Sequence, residues 1–149
     1  MSILVRPIQL TDRAQWAMVW ADYLRFYETS VAPEIYDHLF AKLTSRDASE
    51  FQAFVAVVGD EIVGLAHYLF HRSAWQVQDI CYLQDLFTAP NHRGKGIAAA
   101  LINAVDQAAK AGGTSGVYWM THETNTPAQS LYNKVAQRSG FIEYVKAQA

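Results

Sequence analysis

The sequence predicts one domain, residues 1–149, of the α/β (α+β) class, and three observations support this prediction. A chain of 149 residues that is 51% hydrophobic and 17% charged fits one compact domain with a proper core and leaves little room for a second domain. Two apolar runs flank Gly59-Asp60, a pair of residues typical of a hairpin turn. From Gly96 onwards, the apolar residues change from the alternating spacing of a strand to the spacing of a helix.

The first 43 residues predict one strand and two helices. Residues 3–8 form a short apolar strand, and Thr11 or Asp12 can cap the helix that follows. That helix has one apolar face, which we expect to be buried: Trp16, Val19, Trp20, Tyr23 and Leu24. After a loop at residues 27–33, apolar side chains recur at helical spacing, which predicts a second helix over residues 34–43.

The middle of the chain predicts three strands. Residues 51–58 and 61–71 read as the two strands of a hairpin that turns at Gly59-Asp60. A polar and aromatic connection then leads to a third strand at residues 80–88. Pro90 ends this strand because proline has no amide to donate to a sheet.

A helix and a short strand follow. Residues from Gly96 onwards have one apolar face and one polar face, so they predict an amphipathic helix. Gly112-Gly113 ends this helix, because glycine readily adopts the left-handed conformation found after helix C-termini. Residues 117–121 then alternate as a strand.

A final helix and strand complete the predicted order. Thr126 can act as a hydroxyl cap, Pro127 occupies the first helical position, and Gln129 lies three residues past the cap. Gly140 can end this helix before a last strand that begins at Phe141. The full order is therefore strand, two helices, three strands, helix, strand, helix and strand.

The composition disfavours several classes of function. The net charge is −2 and the isoelectric point is near 6.2, so no strong basic field is available to hold nucleic acid. No apolar run approaches the length of a membrane span, and the first residues lack a leader pattern, so we expect a cytoplasmic protein. One cysteine, Cys81, cannot form an internal disulfide or a thiolate-rich metal site, and we expect no metal.

The stretch NHRGKGIAA, residues 91–99, predicts an anion-binding loop. A strand that leads through closely spaced glycines into a helix offers unpaired backbone amides and the positive end of the helix dipole. Gly94 and Gly96 allow a close approach because they carry no side chain. Arg93 and Lys95 add positive charge, so a phosphate group is the expected guest.

Two other phosphate-binding patterns compete with this interpretation. Residues 94–99 also fit G-x-G-x-x-A, the dinucleotide fingerprint, with Glu123 as a ribose-binding acid. However, residues 88–93 separate the strand from its glycines, and the chain ends too soon after Glu123 for a doubly wound sheet. The phosphate loop of nucleotide hydrolases is excluded because no Lys-Ser or Lys-Thr follows Gly96.

The loop and its surroundings match a longer pattern. Arg93, Gly96 and Ala98 fit the series Arg or Gln, two residues, Gly, one residue, Gly or Ala. The match extends to the residues before and after the loop: residues 85–90, Asn125, Leu131-Tyr132 and Gly140-Phe141. The chain thus resembles the GNAT superfamily of acyl-CoA N-acetyltransferases over nearly its whole length. The stretch VYWMTHETNTPAQSLYNKV is similar to the branch with yeast histone-acetyltransferase-like proteins and their bacterial relatives.

The resemblance implies a fold and a cofactor. The expected fold is a mixed, mostly antiparallel central sheet flanked by about four helices and splayed between the fourth and fifth strands. The cofactor would be acetyl-CoA, with its pyrophosphate on the loop amides and its pantetheine arm along the fourth strand. The implied cofactor-binding residues are Leu86, Phe87, Thr88, Arg93, Gly94, Lys95, Gly96, Ile97, Ala98 and Asn125.

The resemblance also implies catalytic residues. An alkylamine is mostly protonated at neutral pH and must lose a proton before it attacks a thioester. Asp85 is the candidate base or amine-orienting charge, although its alternation with Leu83 and Phe87 also allows a purely structural role. Glu123 and His122 are alternative bases.

Tyr132 matches the general acid of the family, which protonates the departing thiolate. A strand amide near Phe87 would meet the oxyanion.

The implied function is transfer of an acetyl group to a primary amine by direct attack. The acceptor would be a small amine, a polyamine, an amino acid or a lysine side chain, selected by residues 27–33, residues 75–78 and His122-Glu123. The alternative is a non-catalytic sensor domain that binds acyl-CoA. The apolar pairs Phe141-Ile142 and Tyr144-Val145 favour a homodimer.

Overall fold

A computed structural model describes residues 2–148, which form a five-stranded sheet in the spatial order β1-β2-β3-β4-β5. The strands are β1 Ile3–Pro7, β2 Gln52–Val58, β3 Glu61–His71, β4 Ile80–Thr88 and β5 Val117–Tyr118. The first four strands pair antiparallel, whereas β4 and β5 pair parallel. This mixed sheet confirms the predicted fold class and excludes a doubly wound parallel sheet.

Four α-helices cover the two faces of the sheet. They are α1 Arg13–Phe26, α2 Pro33–Leu43, α3 Ile97–Ala111 and α4 Thr126–Val135. Helices α1 and α2 bury a core built around Trp16, Trp20 and Phe40 on one face. Helix α3 buries a second core around Leu101 and Val105 on the other face. Alternate residues of β2 and β3 enter opposite cores, as the period of a strand requires.

The start of α1 differs from the predicted cap. A short 3₁₀ turn at Leu10–Asp12 precedes the helix, and Asp12 occupies the cap position without a side-chain bond to the first helical turn. Its carboxylate instead accepts two bonds from the Arg6 guanidinium, at 2.7 and 3.0 Å, and one from the Gln9 amide at 2.8 Å. Asp12 therefore joins β1 to α1, a long-range role that local spacing does not reveal.

A β-bulge in β4 changes the direction of its side chains. His67 pairs with Asp85 and Tyr68 with Leu83, so Gln84 is an extra residue on β4. Leu83 consequently faces the α3 core, whereas Phe87 lies in the α1 core. The expectation that Leu83, Asp85 and Phe87 share one face is wrong, because the bulge shifts the alternation between them.

The sheet opens between β4 and β5. Only Cys81 and Tyr82 of β4 pair with β5, and β4 then continues to Thr88 with its outer edge unpaired in the part of the chain that the structure describes. The predicted fifth strand, residues 117–121, is therefore formed only at Val117–Tyr118. This opening is the splay that the family resemblance implies.

Gly64 allows α3 to pack close to the end of β4. A Cβ at Gly64 would lie 3.0 Å from the Phe87 carbonyl oxygen, 3.1 Å from Ile97 Cγ2 and 3.3 Å from Leu101 Cδ1. No larger residue fits without displacing a backbone atom. The close packing holds the first turn of α3 against the last residues of β4.

The C-terminal part of the chain differs from the prediction. Asn125, rather than Thr126, is the cap residue of α4, and no side-chain cap bond forms there. The Gln129 side chain instead donates to the carbonyl oxygens of His122 and Glu123, at 3.1 and 3.0 Å. The predicted last strand at Phe141 is absent, because residues 136–148 have no regular structure and β5 offers only two residues as an edge.

Candidate active site

The glycine-rich loop joins β4 to α3. A 3₁₀ turn at Pro90–His92 leads into Gly94 and Gly96, whose φ angles are 75° and 82°. These left-handed conformations favour glycine. A Cβ built on either glycine meets no atom of the described residues within 4 Å, so the space beside both is open.

The amides of this loop are available to a ligand. The first bond of α3 runs from the Ala100 amide to the Gly96 carbonyl oxygen at 3.0 Å. Over residues 2–148, the six amides from position 94 to position 99 have no hydrogen-bond acceptor. They lie at the positive end of a 15-residue helix, which is a favourable position for an anion. The Ile97 side chain is buried, so this residue can offer a ligand only its backbone.

The two cations of the loop have different positions. The Arg93 side chain turns back, and its Nε donates to the Thr88 carbonyl oxygen at 3.0 Å. Its guanidinium lies over the rings of Phe26 and Phe87, at 5.6 and 5.4 Å from their centroids. Lys95 is exposed and lines a shallow cavity of about 260 Å³. Both side chains are exposed, but Arg93 braces the loop, whereas the Lys95 ammonium forms no hydrogen bond or ion pair within residues 2–148.

The outer edge of β4 presents main-chain groups to the gap. The Ala89 amide donates to the Val63 carbonyl oxygen at 2.8 Å, and bonding alternates along an antiparallel ladder. The main-chain groups of Leu86 and Thr88 therefore point away from β3 into the gap, whereas those of Phe87 point to β3. A strand amide near Phe87 that meets the oxyanion, as predicted, would therefore belong to Leu86 or Thr88.

Two hydroxyls beside this gap are buried without partners. They are Thr88 Oγ1, at the end of β4, and Thr121 Oγ1, just beyond β5. A buried hydroxyl without a hydrogen bond destabilises a protein, so these two atoms suit a polar ligand in the gap. The half-buried side chain of Asn125, at the cap of α4, is also free of hydrogen bonds within the described chain.

Asp85 lies at the centre of a hydrogen-bond network. Its Oδ2 contacts His67 Nδ1 at 2.8 Å and accepts from Trp20 Nε1 at 3.2 Å, and its Oδ1 accepts from the Tyr23 hydroxyl at 2.9 Å. Burial raises the pKa of the Asp85 carboxyl, but the hydrogen bonds that Asp85 makes with His67, Tyr23 and Trp20 outweigh burial. The net effect lowers this pKa, so Asp85 is a fixed negative charge at neutral pH.

A cavity of about 220 Å³ opens between α1, α2 and the sheet next to Asp85. Its walls are mainly apolar and include Val31, from the loop between the two helices, and Ile35. His38 and Lys42 of α2 also line it. The cavity thus combines a carboxylate, two basic side chains and an apolar wall.

Tyr132 is half-buried on α4. Its ring packs edge-on against Trp119, with 5.4 Å between centroids. Burial, together with the nearby Tyr27, raises the pKa of its hydroxyl to about 12. No residue in the described range 2–148 forms a hydrogen bond with this hydroxyl, which is therefore a protonated, unengaged donor at neutral pH.

His122 and Glu123 lie in the exposed connection between β5 and α4. His122 Nδ1 accepts from the Thr124 amide at 3.2 Å and contacts Thr124 Oγ1 at 2.7 Å, so the neutral ring carries its proton on Nε2. Glu123 forms no side-chain ion pair within residues 2–148. Residues 75–78, in contrast, connect β3 to the start of β4, at the opposite end of that strand from Thr88, and Trp75 is almost fully exposed.

The structure brings together most of the residues that the sequence predicts. The loop amides, the Leu86–Thr88 edge and Asp85 all lie on β4 or directly after it. The hydrogen-bond network around Asp85 was not predicted. Trp20 and Tyr23, which bond Asp85, and Trp16, which bonds His67, were expected only as core, and His67 was not identified. A histidine within the apolar run of β3 was the available signal, but its pairing with Asp85 depends on the bulge.

Comparison with known proteins identifies the family of this chain. The sequence model of the acetyltransferase (GNAT) family matches residues 16–136. The chain belongs to the GNAT family. It is an N-acetyltransferase, and its cofactor is acetyl-CoA.

Relatives of this GNAT enzyme acetylate different amines. The D-amino-acid N-acetyltransferase HPA3 of Saccharomyces cerevisiae is 35% identical over 144 residues, which is 95% of this chain and 89% of the yeast protein. The thialysine N-ε-acetyltransferase of Bos taurus is 34% identical over 74 residues, 50% of this chain and 43% of that enzyme. A structure of AAC(6')-Iy with the bisubstrate analogue CoA-S-monomethyl-acetylneamine superposes with a TM-score of 0.86, 15% identity and full coverage of both chains, which shows the shared fold.

The residues of this GNAT chain fit acetyl-CoA. Free amides beside two left-handed glycines suit a diphosphate. The unpaired β4 edge and the two threonine hydroxyls without partners suit the amide groups of a pantetheine arm.

No helix within residues 2–148 is long and apolar enough to cross a membrane.

Proposed function

We propose that this enzyme transfers an acetyl group directly from acetyl-CoA to the primary amine of a small amino acid. The cavity beside Asp85 carries the proposal. Its carboxylate can bind an ammonium, whereas Lys42 and His38 favour a carboxylate over a second ammonium group. This charge pattern suits an amino acid better than a polyamine, and the yeast relative is a D-amino-acid N-acetyltransferase.

Acetyl-CoA supplies the acetyl group as a thioester when it is bound. We propose that the free amides of residues 94–98 hold its pyrophosphate, with Gly94 and Gly96 giving access and Lys95 adding charge. The Leu86–Thr88 edge would bond the pantetheine arm, with Asn125 reaching it from α4. Phe87 and Arg93 would contribute mainly by bracing this edge, since the Arg93 side chain is bonded to the Thr88 carbonyl oxygen.

Asp85 acts in this proposal as the amine-orienting charge rather than as the base. A carboxylate accepts about four hydrogen bonds, and three are already present, so one position remains for an ammonium N–H. A lowered pKa makes Asp85 a weak base at neutral pH. Removal of the amine proton would fall to Glu123 across the gap. His122 suits this role less, because its Nδ1 accepts from the Thr124 amide at 3.2 Å and the neutral ring then carries its proton on Nε2.

Tyr132 would act at the leaving sulfur. Because its pKa is raised to about 12, the hydroxyl keeps its proton at neutral pH and can donate a hydrogen bond to a developing thiolate. Thiols ordinarily have a pKa near 8.5, so donation of a hydrogen bond is favoured over complete transfer of the tyrosine proton.

An acceptor panel tests the proposal, with release of the coenzyme A thiol as the readout. It pairs each amino acid, in both enantiomers, with the amine that lacks its carboxylate, and it includes polyamines and lysine peptides. We expect the highest kcat/KM for amino acids. Lys42→Met should reduce their advantage over the decarboxylated amines about tenfold, roughly the contribution of one charge-assisted hydrogen bond.

Asp37→Asn is the matched control for Lys42→Met. Asp37 is also a charged residue of α2, but it pairs with Arg13 on the exposed side of the helix. This substitution should leave the acceptor preference unchanged. A polyamine or peptide at the top of the panel would contradict the proposed acceptor class without contradicting acetyl transfer.

We also propose that two copies associate through the C-terminal segment. Its support is four apolar side chains that are at least 73% exposed in this chain: Phe141, Ile142, Tyr144 and Val145. Light scattering should give the mass of a dimer for the native protein. Phe141→Ser with Tyr144→Ser should give the mass of a monomer, and a native monomer would exclude the association.

A further inference from the structure

A buried histidine lies next to the proposed ammonium site without a role in the reaction described above. His67 is 2% exposed and lies between two partners on opposite sides of its ring. Trp16 Nε1 donates to His67 Nε2 at 2.9 Å, and His67 Nδ1 contacts Asp85 Oδ2 at 2.8 Å. Trp16 is fully buried, so solvent does not compete for either bond.

The partners of His67 fix its protonation state. An indole N–H can only donate a hydrogen bond, so His67 Nε2 must be unprotonated to accept it. Nδ1 faces an ionised carboxylate, so it must carry the single ring proton. His67 is therefore a neutral imidazole with its proton on Nδ1, and a second proton would place two N–H groups against each other.

We propose that Trp16 and His67 are positioning residues that keep the negative charge of Asp85 uncompensated. If His67 were free to bind a second proton, it would form an ion pair with Asp85 and cancel the charge that attracts the acceptor ammonium. The Trp16 bond prevents this. The inference rests on the proposed role of Asp85 as the amine-orienting charge.

Other titratable and charged groups face this network. Tyr23 of α1 donates to Asp85, and Tyr36 of α2 packs on Trp16 and Trp20. The Arg13 guanidinium lies over the Trp16 ring at 5.5 Å. His38 and Lys42 of α2 line the same cavity as His67 and Asp85. These groups are present in both the native protein and the variants below. A comparison of the native protein with the variants therefore isolates the effect of His67.

Trp16→Phe tests the inference because it removes the indole donor and keeps an aromatic ring. Nε2 of His67 then becomes free to bind a proton as the pH falls. We expect the ratio of the variant KM to the native KM for the acceptor amine to rise about tenfold between pH 8 and pH 6, since imidazoles ordinarily titrate in this interval. The ratio corrects for ionisation of the amine itself.

Two further variants isolate the effect from loss of packing. Trp20→Phe also removes an indole from α1 and a bond to Asp85, but it leaves the Trp16–His67 bond in place, so its KM ratio should not depend on pH. Trp16→Phe with His67→Gln replaces the imidazole by an amide that cannot titrate. This double variant should lose the pH dependence that Trp16→Phe alone introduces.

A spectroscopic measurement reads the histidine directly. The ¹⁵N shifts of His67, assigned by their absence in His67→Gln, should show the Nδ1–H tautomer throughout pH 6–8 in the native protein and an imidazolium at pH 6 in Trp16→Phe. A native imidazolium at pH 6, or a flat KM ratio for Trp16→Phe, would overturn the inference. Failure of the native protein to acetylate any amine would instead reject the proposed function, because the ¹⁵N shifts do not depend on turnover.

Discussion

The first 111 residues and the last part of the chain, residues 112–148, are packed very differently. The first region contains both cores and every fully buried side chain of the described residues. In the second region no residue is buried, β5 has two residues, and α4 reaches the second core through Tyr132. The amide loop and Asp85 belong to the first region, and Asn125, Glu123 and Tyr132 to the second.

The two sides of the candidate site are therefore held in position by different interactions. The first side is positioned by packing against the two cores. The second side has little packing of its own, so a ligand that bridges the gap would contribute directly to its order. Binding of acetyl-CoA should therefore stabilise α4 more than it stabilises the sheet.

A pair of truncations in the two regions should give the largest difference. Leu101→Ala removes a fully buried side chain of α3 and should lower the free energy of unfolding by about 3 kcal/mol. Val135→Ala removes a side chain of α4 that is 45% exposed and should change it by less than about 0.5 kcal/mol. Urea denaturation measures both, and equal losses would show that α4 is as tightly packed as α3.

Glycines near the two ends of α3 provide a test substitution and a matched control for ligand binding. Gly96 and Gly113 both have positive φ angles and open space beside them, so alanine at either should reduce stability by about 1 kcal/mol. Only Gly96→Ala places a methyl group beside the free amides, and we expect about a 100-fold loss of acetyl-CoA affinity from disrupted charged hydrogen bonds. Calorimetric titration measures the affinity, and an equal effect of Gly113→Ala would exclude the loop as the site.

Much of the first region could be predicted from the sequence. The hairpin at Gly59-Asp60, the bounds of β3 and β4 and the start of α3 are as expected, because turn residues and apolar periodicity act locally. The bulge at Gln84 could not be predicted in this way. It depends on how two strands align, and it decides which side chains of β4 face α1.

The second region shows where the prediction failed. Phe141 and its neighbours are aromatic and β-branched residues of the kind found in strands, but a strand needs an edge to pair with, and the sequence does not show whether one is available. The loop could be proposed as a site from the sequence because Gly94 and Gly96 meet a local requirement, namely backbone conformations with positive φ angles. His67 and Trp16 were missed as site residues because their function depends on contacts with Asp85 over long sequence separations, directly for His67 and through His67 for Trp16.

Tyr132 tests whether the loosely packed region contributes to chemistry. Tyr132→Phe removes a hydroxyl without a partner in residues 2–148, so it should cost little stability. We expect kcat to fall about 30-fold, with acetyl-CoA affinity nearly unchanged, if the hydroxyl donates to the leaving sulfur. Tyr144→Phe, at an exposed position of the tail, is the control and should leave kcat unchanged. A parallel loss of affinity and kcat in Tyr132→Phe would indicate a structural role.

The smallest predicted effect is on the pH dependence of stability. It compares a bonded carboxylate of the first region, Asp12, with an exposed one of the second, Glu143. The hydrogen bonds from Arg6 lower the pKa of Asp12, so its stabilising effect is complete above the carboxyl pKa of the unfolded chain and is lost as the pH falls through the lower value of the folded state. Asp12→Asn should therefore destabilise the protein by about 1.5 kcal/mol at pH 7.

The loss of stability in Asp12→Asn relative to the native protein should diminish below about pH 4, near the ordinary pKa of an aspartate. Glu143→Gln, in the exposed tail, should have no measurable effect at either pH. Thermal denaturation across this interval measures both. A difference for Asp12→Asn that persisted at pH 2.5 would mean that the packing of Asp12, rather than its charge, joins β1 to α1.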